Sequence, residues 1–120
     1  MLAHDNNLVL LLGLFIFKHY VADYLLQNMR HISNKGFYGR WGGIEHALHH
    51  ALLTACILFA FVSWHMALLF GLIDGILHYH IDYIKTRFGP KDPAKSDFWV
   101  WHGTDQLLHY ATYFAIIYKL

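Results

Sequence analysis

Four pairs of His and Asp, each spaced i,i+4, constrain this chain more than any other feature. They are His19/Asp23, His46/His50, His78/Asp82 and Asp105/His109. Each pair lies in a different apolar segment. On a helix such residues share a face, with Cβ atoms about 5–6 Å apart. One pair can therefore chelate a metal ion or bridge two. Together they offer eight ligand side chains, enough for two ions at about four protein ligands apiece. The count alone is weak, because 18 of the 120 residues are His or Asp. Random placement would give about 2.6 such spacings, and the chain has five once Asp74/His78 is included. The placement of the pairs is the stronger argument.

Apolar stretches run roughly over 8–17, 51–64, 66–77 and 107–118. Each is shorter than the 18 or so residues that mark a membrane span outright. Each reaches that length when its His/Asp stretch is added, which predicts helices near 7–30, 44–64, 66–88 and 102–119. Residues 51–64 are apolar on every side, the pattern of a helix in lipid or in a large core, and a single domain of this length has no large core. The chain is 57% hydrophobic and 14% charged, against about 25% charged in ordinary globular proteins. The expected fold is all-α: a four-helix up-down-up-down transmembrane bundle over 1–120, with a metal site at one end. A soluble four-helix bundle is the alternative. In that topology the pairs fall at alternating helix ends, so all eight side chains gather at one depth.

The connections agree. Residues 31–43 and 88–101 join helices at the site end, and a tight turn is expected at 64–66, near Trp64 and His65, at the other. Seven of the nine Lys/Arg lie at the site end: Arg30, Lys35, Arg40, Lys85, Arg87, Lys91 and Lys95. Cytoplasmic loops are enriched in such residues. The expectation is an inner-membrane protein with its site facing the cytoplasm and both termini outside. Phe98, Trp99 and Trp101 suit the headgroup region. Residues 8–17 read as a retained helix, since no basic residue precedes them and no small-residue cleavage site follows. The single Cys56 rules out an internal disulfide. Gly71 and Gly75 form a GxxxG, which permits close helix approach.

Imidazole and carboxylate ligands with little sulfur suit zinc, manganese or iron. Zinc is expected first, as one or two ions, because it activates water near neutral pH. Gln27 and Asp74 lie one turn from the pairs and can orient the ligands. Lys85, with Arg30, Lys35 and Arg87, could hold a phosphate-bearing substrate, or these cations could snorkel to lipid headgroups. No catalytic residue can be named. His49 competes with His46 and His50 for the inward face. His4, His31, His65, His80 and His102 lack a matched partner and are expected at surfaces or interfaces. The expected partners are the lipid bilayer and an anionic, phosphate-bearing small molecule or lipid. Nucleic-acid binding is not expected, and a homodimer is compatible with this size.

The four motifs together, HxxxDYLLQ (His19, Asp23, Gln27), HALHH (46–50), HYHIDYIK (His78, Asp82, Lys85) and DQLLH (Asp105, His109), resemble the domain of unknown function 3307, a family of small bacterial and phage membrane proteins. The resemblance covers nearly the whole chain, with the motifs in order. The family carries no settled activity; proteins that look similar to it are inner-membrane metal-dependent hydrolases, and that likeness implies the same chemistry here. More distantly, the helical His/Asp site is similar to zinc phospholipase C and related nucleases, which implies phosphoester hydrolysis. Those enzymes use three metals and an N-terminal amine ligand, and this chain departs from both features.

Three other readings stay open. HxxxD pairs on spanning helices also suit a metal-ion transporter, although the polar residues occupy one end only. HALHH is like a histidine box of a di-iron oxidase or desaturase, but only one box is present. Last, the site could simply staple a structural or regulatory membrane protein.

Overall fold

A computed structural model describes residues 2–120, with side chains from Asn6 onward; His4 falls outside the described side chains. Helix α1 spans Leu2–Tyr20, α2 Met29–Asn34, α3 Trp41–Leu58, α4 Trp64–Phe88 and α5 Ser96–Lys119. Among the described residues there is no strand. The expectation of four helices is thus corrected to five, four long and one short. The long helices alternate in direction. The C-terminal ends of α1 and α4 meet the N-terminal ends of α3 and α5, where the His/Asp pairs contact one another.

Several boundaries move. The turn expected at 64–66 lies at 59–63, and Trp64 and His65 open α4. The 31–43 connection begins with α2, which a capping box starts: Asn28 accepts from the His31 N–H, and the Asn28 N–H donates to His31 Nδ1. Such reciprocal caps satisfy two otherwise orphan donors. The chain then turns through Gly39, whose φ of +81° suits glycine. Helix α4 stops at Phe88, before Gly89-Pro90, because proline cannot continue a helix. Helix α5 begins at Ser96, six residues earlier than expected, so Phe98, Trp99 and Trp101 are helical rather than in a loop.

Helix α1 does not run on to residue 30. After Tyr20 it widens into a π turn, Val21–Leu25, in which the Leu26 N–H donates to the Val21 carbonyl at 2.9 Å. Single π turns of this kind are frequent at functional sites. Asp23 sits in the middle of it.

The seam between α3 and α4 is made of small residues. A Cβ on Gly71 would lie 2.7 Å from the Ala51 carbonyl oxygen, and one on Gly75 would lie 2.8 Å from the Ala51 Cβ. The GxxxG of α4 therefore faces the alanine stripe of α3, and the two backbones approach as this motif allows.

Burial is inverted relative to a water-soluble fold. Among the described residues, eleven polar or charged ones are buried against nine apolar ones, four of which are alanine. Large apolar side chains project outward from every helix, among them Val9, Leu52, Leu72, Ile84, Leu107 and Phe114. One apolar cluster, Leu11, Phe15, Leu58, Ala67, Tyr113 and Ile116, packs beside the His/Asp pairs and meets them at Tyr113.

Candidate metal centre

The alternating helix ends bring all four pairs into one polar cluster. Asp23, carried by the π turn, is its hub. Its Oδ1 lies 2.9 Å from His50 Nε2, 3.1 Å from His46 Nε2 and 3.9 Å from His78 Nε2. Its Oδ2 lies 3.0 Å from His19 Nε2. Asp82 is a second hub. Its Oδ2 lies 3.2 Å from His78 Nε2 and 3.5 Å from His46 Nε2, and its Oδ1 is 3.3 Å from His109 Nε2. His109 Nε2 is also 3.4 Å from Asp105 Oδ1. His46 and His78 join the hubs, with their Nε2 atoms 3.2 Å apart. Ligand-type atoms group as Asp23, His46, His50 and His78, as His78, Asp82 and His109, and as His31, His46 and His49, all within 4.8 Å inside each group.

Buried polar atoms are nearly always hydrogen-bonded. Here Asp82 Oδ2, Asp105 Oδ1, His46 Nδ1 and His78 Nδ1 are buried without a hydrogen-bond partner. Two of these atoms are carboxylate oxygens on the candidate ligands; Asp82 Oδ2 has the Lys35 ammonium 2.7 Å away as a charge partner, whereas Asp105 Oδ1 has only His109 Nε2 nearby, at 3.4 Å.

The cations named from sequence divide into two kinds. Lys35 Nζ forms an ion pair with Asp82 Oδ2 at 2.7 Å, and Lys85 Nζ donates to Asp105 Oδ2 at 2.9 Å. Both reach into the cluster and rest on carboxylates. Arg30 instead pairs with Glu45, and Arg87 is exposed on α4. Gln27 lies beyond the helix, where its Nε2 donates to the Asp23 carbonyl at 3.1 Å and so closes the π turn.

Other residues join the cluster without having been singled out from sequence. Lys18 is buried, 2.5 Å from Asp74 Oδ2 and 3.2 Å from His50 Nδ1. Thr54 Oγ1 donates to the same Asp74 oxygen at 2.6 Å. Asp74 therefore makes interhelical contacts and touches the ligand set through Lys18. Tyr113 Oη and Gln106 Oε1 hold the two nitrogens of His19, at 2.7 and 2.9 Å. A lysine inside an apolar stretch was the available signal, because a buried charge needs a partner. His31 corrects a further expectation. It is buried, not at the surface, with Nε2 3.2 Å from Glu45. His65 and His80 are exposed as expected, while His102 is half-buried beside Lys85. His49 is half-buried and meets His31 edge to face, outside both hubs.

The fold and site define an all-α, histidine-rich protein with groups of side chains able to hold a metal. A family model described as a protein of unknown function, DUF3307, matches residues 10–120. The chain belongs to that family. No curated protein and no solved structure matches it.

Proposed function

We propose that this chain is a multi-pass inner-membrane protein that binds one or two divalent ions, zinc first, and hydrolyses a phosphoester at the cytoplasmic face. One observation carries the metal: His46 Nε2, His78 Nε2 and Asp82 Oδ2 form a triangle with edges of 3.2, 3.2 and 3.5 Å. Zinc bonds of 2.0–2.1 Å in a tetrahedron imply ligand–ligand edges of about 3.3–3.4 Å. Three protein ligands with a free fourth vertex is the catalytic pattern, whereas structural zinc is usually closed by four. A divalent ion bound there would act as a Lewis acid toward a phosphoryl oxygen. The chain would supply Asp23 and Asp105 beside that position. Lys35 and Lys85 would transfer from carboxylate to phosphate.

The inverted surface supports the membrane. Exposed apolar patches this extensive mark a lipid or partner surface. The molecule is 47 Å long, against about 40–45 Å for a bilayer with its headgroups. By length and composition one stretch, Asn6–Leu25 with mean hydropathy 1.6, is apolar enough to cross. Helices α3, α4 and α5 carry the inward-facing His and Asp, which lower an average taken over all faces. The apolar plug around Leu58 favours hydrolysis over transport, since it closes the half beyond the site. A structural role for the centre is the second reading, favoured by both lysines already resting on its carboxylates.

Element analysis of the purified protein, followed by phosphate or diglyceride release from a phospholipid and nucleotide panel with and without chelator, tests the proposal. Asp82→Ala should abolish both metal and turnover, and Lys85→Ala should chiefly raise KM. A metal-loaded protein that cleaves nothing in the panel refutes hydrolysis, and zinc uptake into proteoliposomes would then make it a transporter. Accessibility labelling near residue 37 from outside intact cells would reverse the orientation.

A further inference from the structure

The eight paired residues are not equivalent. A neutral imidazole has one N–H and one lone pair, and the partner of one nitrogen decides which the other carries. For His50, Nδ1 faces the Lys18 ammonium at 3.2 Å, a group with donors and no lone pair, which is ion-paired with Asp74 Oδ2 at 2.5 Å. Nδ1 must then hold the lone pair. The proton sits on Nε2 and is directed at Asp23 Oδ1, 2.9 Å away. For His19, Nε2 faces two acceptors, Gln106 Oε1 at 2.9 Å and Asp23 Oδ2 at 3.0 Å. The Gln106 amide is oriented by its own Nε2, which donates to Asp105 Oδ2 at 2.9 Å. His19 Nε2 therefore also carries a proton, and Tyr113 Oη takes Nδ1 at 2.7 Å.

We infer that His19 and His50 are not metal ligands but positioning residues, two fixed N–H donors that clamp the two oxygens of Asp23, with Lys18 as the residue that sets the proton of His50. A nitrogen bearing a proton has no lone pair for a metal. The ligand set contracts to His46, His78, His109, Asp23, Asp82 and Asp105. His46 and His78 also turn Nε2 toward carboxylate oxygens, at 3.1 and 3.2 Å, but they differ from the clamp residues at Nδ1, which has no partner, so Nδ1 is free to carry the proton and leave Nε2 to a metal. Ligand imidazoles usually donate the remote N–H to an outer group. The clamp reverses that arrangement, with the outer group, Lys18, donating inward.

The hydrogen-bond assignment does not need a metal; the contracted ligand set rests on the metal reading above, and the two are tested separately. Imidazole 15N spectra of the metal-free full chain in detergent micelles should show His19 and His50 protonated at Nε2. An Nδ1–H form of either, with Nε2 bare, overturns the clamp whether or not the protein binds zinc. In the double variant Lys18→Met, Asp74→Leu, His50 should lose its fixed tautomer while His19 keeps it. If His50 is unchanged, Lys18 does not set its proton. For the ligand set, zinc per chain is compared in His19→Gln, His50→Gln, His46→Gln and His78→Gln, with helical content checked by circular dichroism. Glutamine keeps an N–H donor near Nε2. The first two variants should retain full zinc stoichiometry with an affinity loss within the 10–100-fold usual for outer residues, and the last two should lose bound zinc. Should any of these variants unfold, X-ray absorption of the zinc-loaded native chain counts the imidazoles directly. Three or fewer across all bound ions fits the contracted set, and four or five overturns it.

Discussion

The two ends of the molecule bury their interiors by opposite means. Around Leu58 the interior is six apolar side chains in contact. Around Asp23 and Asp82 it is imidazoles, carboxylates and a lysine, each with named partners. Dispersion and apolar burial are graded and non-directional, so the first end should respond to substitution in proportion to volume removed. The second depends on pairing, where removing one partner leaves the other charged and stranded. The contrast teaches where specificity sits. The apolar end needs only approximate shape, whereas the polar end needs particular atoms.

The largest effect expected is at the polar end. Asp74→Ala strands the buried Lys18 and should cost about 3–5 kcal/mol, read from unfolding by denaturing detergent in mixed micelles. Replacing both, as Lys18→Met with Asp74→Leu, should recover most of that loss, because apolar substitutes for a buried pair are often neutral or stabilising. A single-variant loss below about 1 kcal/mol would place Lys18 in reach of water, as for an exposed pair, and erase the contrast. Next comes the apolar end, where Leu58→Ala should cost about 2–5 kcal/mol while leaving zinc stoichiometry unchanged. Loss of zinc in that variant would show the two ends to be coupled. The seam between them is third. Gly75→Ala forces a Cβ against Ala51 and should cost about 1–3 kcal/mol, visible as a lowered thermal midpoint. The smallest effect is at the rim: Arg30→Ala breaks a pair with Glu45 in which Arg30 is 54% exposed. Its effect on stability should be the smallest of the four and should vanish at high salt. A larger salt-insensitive loss would extend the buried polar end out to α2.

The gathering of the four pairs was legible in the sequence because it follows from two rules, i,i+4 faces and alternating helix direction. The small-residue seam was legible too, since Gly71 and Gly75 have the spacing that close packing needs. The π turn was not. It requires one backbone hydrogen bond to shift by a residue, and nothing in VADYL differs in type from an α-helical stretch. Helix α2 was hidden because its start depends on the His31 side chain, an unusual partner in a capping box. Lys18 was visible as a charge in an apolar stretch, but its partner lies 56 positions away on α4, and that separation cannot be read from local periodicity. Its contact with Asp74 is also what gives His50 its direction, so the sequence yielded the four pairs but neither the buried partners that join them nor the contacts among them.

The π turn at Val21–Leu25 bears on which changes of chain length this protein can absorb. Elsewhere in the long helices, deleting one residue turns everything beyond it by about 100°, the angle of one step at 3.6 residues per turn. Within Val21–Leu25 a deletion would do the reverse and return the backbone to ordinary α geometry. The helix would be more regular and the protein worse, because Asp23 would swing off the axis shared by His19, His46 and His50. A one-residue deletion there should give a chain that is as helical as before and has lost its hub. The surplus residue is therefore a frame marker: it fixes the phase between the first helix and the rest of the chain, and single-residue insertions or deletions that persist among relatives should fall in the turns at 59–63 and 89–95 rather than between His19 and Gln27.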